Sequence, residues 1–129
     1  MKMQNVIVLA HDETVRLDME VYCALEAQLG EAGAEGVLNR AMEEMANRLS
    51  LIERCYYHDD LAALWKAAKG LVGIAEQIGV FSLARAAAAV ADCAGRCDPT
   101  ALAATMHRLI RLGDRSLTAV WDMPEISTR

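Results

Sequence analysis

Four cysteines are the residues of this chain whose chemistry is easiest to name, because thiolates bind zinc and attack electrophiles. They are Cys23, Cys55, Cys93 and Cys97. Cys93 and Cys97 are four residues apart and share a helix face, whereas zinc-binding pairs usually lie closer together, on turns. Both also lie near the carboxyl end of a predicted helix, whose negative dipole disfavours a thiolate. We therefore expect reduced, packed thiols, with no metal site and no cofactor.

The histidines and the acidic residues do not form a recognisable catalytic set. His11 and His58 flank predicted helix starts, and His107 lies one step away from the apolar stripe of the last helix. We interpret them as junction and surface residues. Glu43 and Glu44 are typical of a solvated helix face. The sequence contains no G-x-S-x-G motif, no P-loop and no dinucleotide-binding motif, so we predict that the protein is not an enzyme.

Charge and hydropathy argue against two classes of partner. Thirteen basic and eighteen acidic residues give a net charge of −5, the wrong sign for a protein that binds the phosphate backbone of nucleic acids. The apolar run from Val6 to Ala10 is too short for a signal-peptide core or a membrane span. We expect a cytoplasmic protein that binds neither nucleic acid nor membrane.

Helices are the elements that must position any functional residue. Apolar residues make up 54% of the chain and aromatic residues only 5%, a balance that favours closely packed helices over sheets. A chain of 129 residues suits a single domain. We predict an all-α, antiparallel four-helix bundle over residues 12–122, with an N-terminal arm or extra helix start at 1–11 and a frayed tail at 123–129.

Capping and turn residues predict where the first helices begin and end. Asp12 or Thr14 is expected to cap a helix that reaches about Leu29, and the glycine-rich run 30–36 is expected to be a loop. Apolar residues then recur at three- and four-residue steps from Val37 to about Tyr57, which predicts a long amphipathic helix.

Similar signals delimit the remaining helices. Asp59 or Asp60 can cap a central helix that ends near Gly79. Ser82 is expected to cap the next helix, and the pair Asp98-Pro99 is expected to open the last one. That last helix has an apolar stripe from Leu102 to Leu112, and Gly113 and Asp114 are expected to kink it.

The central stretch, Leu61 to Leu83, combines a buried stripe with glycines. The predicted buried residues share helical spacing and are Leu61, Leu64, Trp65, Ala68, Leu71, Val72, Ala75 and Ile78. Gly70 and Gly73 lie on other faces, where a glycine costs about 1 kcal/mol relative to alanine. Close approach by a partner is one reason for a helix to keep them.

The same stretch resembles the central helix of the histidine-containing phosphotransfer (HPt) domain. The family's motif begins with a small residue and the phosphoacceptor histidine, continues with Leu, Lys and Gly, and closes with a second Gly and a Leu. The matching residues here are Ala68, Leu71, Gly73, Ile78, Gly79 and Leu83. The order of the predicted helices is also that of HPt domains, so the resemblance extends over roughly residues 14–120.

Two departures from the HPt motif remove its chemistry. Lys69 stands at the position of the phosphoacceptor histidine, and Val72 replaces the lysine that would help to neutralise the phosphoryl group. A lysine amine, with a pKa of about 10.4, is almost wholly protonated at neutral pH and lacks the free nitrogen that imidazole offers. We therefore predict a degenerate HPt-like protein that carries no phosphate.

The outer face of the central helix is the predicted partner-binding site. In the HPt family this face docks the receiver domain of a response regulator, which implies the site residues Lys66, Lys69, Gly70, Val72, Gly73, Glu76 and Gln77. The leading hypothesis is a non-catalytic protein that binds a receiver or histidine-kinase domain and modulates a phosphorelay. The alternative is a structural or oligomeric helical module, such as a homodimer, without a link to signalling.

Overall fold

A computed structural model describes residues 17–121, with the side chains described up to residue 117. This part of the chain forms four helices and no strand: α1 (Met19–Tyr57), α2 (Leu61–Ile78), α3 (Phe81–Arg96) and α4 (Pro99–Trp121). The predicted all-α four-helix bundle is confirmed. The arm at 1–11, the caps Asp12 and Thr14 and the tail at 123–129 lie outside the described residues.

Short connections of two or three residues join the helices, so that consecutive helices run antiparallel. Helix α2 packs extensively against both α1 and α3, and α3 packs against α4, whereas the contact between α1 and α4 is small. Within residues 17–121, α2 has helices on two sides only, and its remaining side is exposed in this part of the chain.

Helix α1 bends at Gly30, and the loop predicted for residues 30–36 is wrong. Only Gly30 departs from helical geometry, with φ 80° and ψ 171°, a combination that is open to glycine and strained for other residues. The helix resumes at once, because Ala34 and Leu38 are fully buried in the core and their packing outweighs the low helix propensity of the nearby glycines. The helix begins at Met19, where Asp18 accepts a hydrogen bond from the Glu20 amide over 2.9 Å.

The hydrophobic core lies where the predicted apolar stripes of the four helices meet. Leu64 and Leu71 of α2 are completely buried, as is Leu109 of α4. Helix α4 continues through Gly113, where a kink was predicted, and this buried glycine allows close packing against α1. A Cβ atom at Gly113 would lie 2.8 Å from Cδ1 of Leu49 on α1. None of the helices between residues 17 and 121 has the length and apolar content needed to cross a bilayer.

Most of the predicted helix boundaries are confirmed. Asp60 caps α2 by accepting a hydrogen bond from the Ala63 amide over 3.1 Å, and Gly79 ends α2 in the left-handed conformation. Asp98 caps α4, which begins at Pro99, by accepting from the Ala101 amide over 3.2 Å. Ser82 does not cap α3, because that helix already starts one residue earlier and its N-cap is Val80.

Candidate functional site

The solvent-facing side of α2 carries most of the residues predicted to bind a partner. Lys66, Lys69, Gly73, Glu76 and Gln77 are exposed, and they follow one another along the helix at steps of one, three and four residues. Gly70 is partly buried, and so is Val72, which packs against the hydrophobic core. The accessible part of the predicted site is therefore a ridge along α2, flanked by α1 on one side and α3 on the other.

Trp65 was predicted to be buried, and this prediction is wrong. Its side chain is 46% exposed and lies over the edge of α3, where a Cβ atom at Gly95 would be 3.7 Å from Cδ1 of the indole. The Lys69 ammonium lies over the same ring, with Nζ 5.8 Å from the ring centroid. This is a cation–π contact.

Arg48 of α1 belongs to this surface and was missed by the sequence analysis. Its guanidinium lies across Gly70 of α2, where an added Cβ atom would be 2.7 Å from Nη1 and 3.0 Å from Cζ. Glu44 holds it from one turn away, with 3.6 Å between Nε of the arginine and Oε2 of the glutamate. Contacts within the chain therefore explain why residue 70 is a glycine, since any side chain there would displace the guanidinium.

No contact with another described residue explains why residue 73 is a glycine. It lies in the middle of α2, it is exposed, and a Cβ atom added to it would meet no other atom within 4 Å. A glycine at such a position lowers helix stability by about 1 kcal/mol relative to alanine. The open notch at Gly73 lies one turn beyond Lys69 and Gly70, and the guanidinium of Arg48 lies over Gly70.

A shallow groove of about 260 Å³ between α1 and α2 continues this surface. Arg40 and Glu44 of α1 line one wall, and Ile74 and Gln77 of α2 line the other. We call the ridge and this groove together the α1–α2 face. Its charged residues are Arg40, Glu44, Arg48, Lys66, Lys69 and Glu76. The face thus has two more basic than acidic residues, although the whole chain has a net charge of −5.

Alanine at position 73 is expected to stabilise the protein. Because an added methyl group meets open space, Gly73→Ala should raise the free energy of unfolding by about 0.5–1 kcal/mol, through a less flexible unfolded chain and better helix propensity. The midpoint of thermal unfolding should rise by about 2–4 °C, which circular dichroism measures directly. Gly70→Ala is the matched control, because its methyl group must displace Arg48. A loss of stability in Gly73→Ala would reveal a packing role at this position.

The cysteines and histidines do not form a second site in the described part of the chain. Cys55 and Cys93 are buried, while Cys23 and Cys97 are exposed. Among residues 17–121 no group of three or more His, Cys, Asp and Glu side chains is arranged to hold a metal ion. His58 ends α1, where its Nδ1 lies 2.8 Å from the carbonyl oxygen of Arg54.

The α1–α2 face is therefore suited to binding, since it offers cations, bare backbone and a groove. His107 is exposed, as predicted, and His11 lies outside the described residues.

Comparisons of the chain with protein-family models, with curated proteins and with solved structures found no match.

Proposed function

We propose that the protein is a non-catalytic, HPt-like binding module. In this proposal the α1–α2 face docks a response-regulator receiver domain or a histidine-kinase domain and modulates a phosphorelay without carrying phosphate. The observation that carries the proposal is Gly73, an exposed mid-helix glycine with open space around it. Since nothing in the described chain needs this glycine, we assign its role to close approach by a partner's backbone.

Charge complementarity supports an acidic partner site. Lys69 and Arg48 lie on the same face as the notch at Gly73, and each contacts a neighbour, Trp65 or Glu44. The phosphorylation pocket of a receiver domain is acidic, as the HPt resemblance implies. Two positioned cations that face such a pocket favour association most where docking partly excludes water.

The same residues support binding without phosphotransfer. The Lys69 ammonium lies over the Trp65 ring, and an ammonium has no lone pair with which to attack a phosphoryl group. Val72, at the position of the neutralising lysine in the HPt motif, packs against the core and supplies no charge. The module would therefore bind a receiver or kinase domain without accepting its phosphoryl group.

Reversing the charge of Lys69 is expected to weaken this docking at least about ten-fold, which corresponds to about 1.4 kcal/mol of binding free energy. The tagged protein is first passed through cytosol from its own cells, and retained receiver or kinase domains are identified by mass spectrometry. Each retained domain is then purified, and its affinity for the parent protein and for Lys69→Glu is measured by isothermal titration calorimetry.

Arg85→Glu is the matched control, because Arg85 is also an exposed cation but lies on α3, outside the α1–α2 face. It should leave the affinity within about two-fold of the parent value, as expected for a charge outside the interface. Both variants should keep the helical circular dichroism spectrum. Equal affinities of the parent and Lys69→Glu would reject this docking mode. Retention of the protein's own copies alone, with a dimer in sedimentation, would favour the structural module.

A further inference from the structure

A second cavity, of about 560 Å³, lies at the end of the bundle where α1 leads into α2 and α3 leads into α4. Its volume is within the range of about 300–1,000 Å³ that is typical of small-molecule sites. Leu61 and Leu102 are among its lining residues, at the first turns of α2 and α4. The cavity shares no lining residue with the α1–α2 groove. A ligand here would therefore be independent of the function proposed for that face.

Aromatic side chains form one wall of this cavity. Tyr56 and Tyr57 contact each other edge to face, with 5.4 Å between their ring centroids. Tyr57 is 73% exposed, so most of its ring is not packed against the protein. Together with Leu61, Pro99 and Leu102 it offers an apolar surface against which a planar ring system can stack.

The charge of the cavity has one sign. Among the described residues that line it, Asp59 and Asp98 are acidic and none is basic. One oxygen of Asp98 accepts the hydrogen bond from the Ala101 amide that caps α4. Asp59 follows the end of α1 and also lines the cavity. Carboxylates beside aromatic rings are the usual surroundings of a bound organic cation.

The two turns that carry these carboxylates are fixed by backbone hydrogen bonds. The amide of Asp60 donates to the carbonyl oxygen of Cys55 over 3.0 Å, and the amide of Asp98 donates to that of Cys93 over 3.3 Å. The backbone of both turns is therefore fixed before a ligand binds, so binding would not have to order it.

We propose that this cavity binds a small organic cation that carries an aromatic ring system. The ring would stack against Tyr57 and the apolar residues, and the ammonium group would pair with Asp59. Charge complementarity decides the choice of ligand, since an anionic ligand would face two carboxylates and a neutral one would leave them unused.

Three indoles of nearly equal size test the proposal: tryptamine is cationic, tryptophol is neutral and indole-3-acetate is anionic. Titrations followed by ¹H–¹⁵N correlation spectra should show that tryptamine binds about ten-fold more tightly than tryptophol, as one well-placed ion pair can provide. Indole-3-acetate should bind most weakly. The shifted amides should cluster at residues 56–61 and 97–102.

Two variants locate the binding determinants. Asp59→Asn should reduce the affinity for tryptamine to about that of tryptophol and leave tryptophol unaffected, since only the ion pair is lost. Asparagine also tolerates the φ of 56° at this position, so the turn should be preserved. Tyr57→Ala should weaken both ligands. Glu43→Gln, an exposed change on α1 outside both proposed sites, is the control and should leave the affinity for tryptamine unchanged. The proposal would be overturned by equal affinities for the three indoles or by absence of binding. It would also be overturned if Asp59→Asn bound tryptamine as tightly as the parent protein does.

Discussion

Replacing Leu71 by alanine is expected to lower the free energy of unfolding by about 3–5 kcal/mol, the largest effect of any single change considered in this protein. Leu71 has no exposed surface and lies in the middle of α2, the helix that packs against both α1 and α3. The substitution removes apolar surface from the core and leaves a cavity that the surrounding helices fill only in part. Since domains of this size are stable by about 5–15 kcal/mol, a large share of the total is lost.

Urea unfolding followed by circular dichroism measures this loss. Leu61→Ala is the matched control, because Leu61 is on the same helix but only partly buried, and it should lose about 1 kcal/mol. A loss below about 1.5 kcal/mol for Leu71→Ala would show that the core around α2 is packed more loosely than described. Leu71→Met, which nearly conserves volume, should recover most of the stability.

Replacing Gly79 by alanine is expected to lower the free energy of unfolding by about 2–4 kcal/mol, through two additive costs. Gly79 ends α2 with φ 84° and ψ 23°, a left-handed conformation that disfavours a side chain by about 1–2 kcal/mol. An added Cβ atom would also lie 2.9 Å from Cβ of Asp18 and 3.1 Å from Cβ of Val21. These atoms lie close to the backbone of α1, so relief requires the start of α1 to move.

That movement has a specific signature. The amide of Asp18 donates a hydrogen bond to the carbonyl oxygen of Gly79 over 3.0 Å, and displacement of α1 would break it. Hydrogen exchange in Gly79→Ala should therefore accelerate first in residues 18–29, ahead of the rest of the bundle. Gly73→Ala, the same chemical change in the same helix, should slow exchange slightly. Uniform acceleration throughout the chain would show that the α1 segment before Gly30 does not depend on this contact.

Gly70 and Gly73 show how far the candidate site follows from the sequence. Both are glycines on the outer side of a helix, and their spacing predicts the same role for both. In the structure the guanidinium of Arg48 covers Gly70, whereas the space at Gly73 is open. Only the second glycine therefore supports an external partner. The sequence offers no signal that relates residues 48 and 70, because their contact depends on how α1 packs against α2.

The sequence by itself determined the helical class, the buried stripes and most of the caps. Leu64, Leu71 and Leu109 are buried where three- and four-residue spacing predicts, and Asp60, Gly79 and Asp98 delimit the helices as predicted. Periodicity and capping are local properties, because they depend on residues within about one helical turn of each other.

The tertiary structure decided what lies between the helices. Burial of Ala34 and Leu38 keeps the glycine-rich run after Gly30 helical. Close packing against Leu49 explains why residue 113 is a glycine. Helix packing also leaves Trp65 exposed beneath Lys69 and forms the open cavity beside Tyr57. These features join residues that are far apart in the chain, so they depend on the relative placement of helices, which no local pattern of residues encodes.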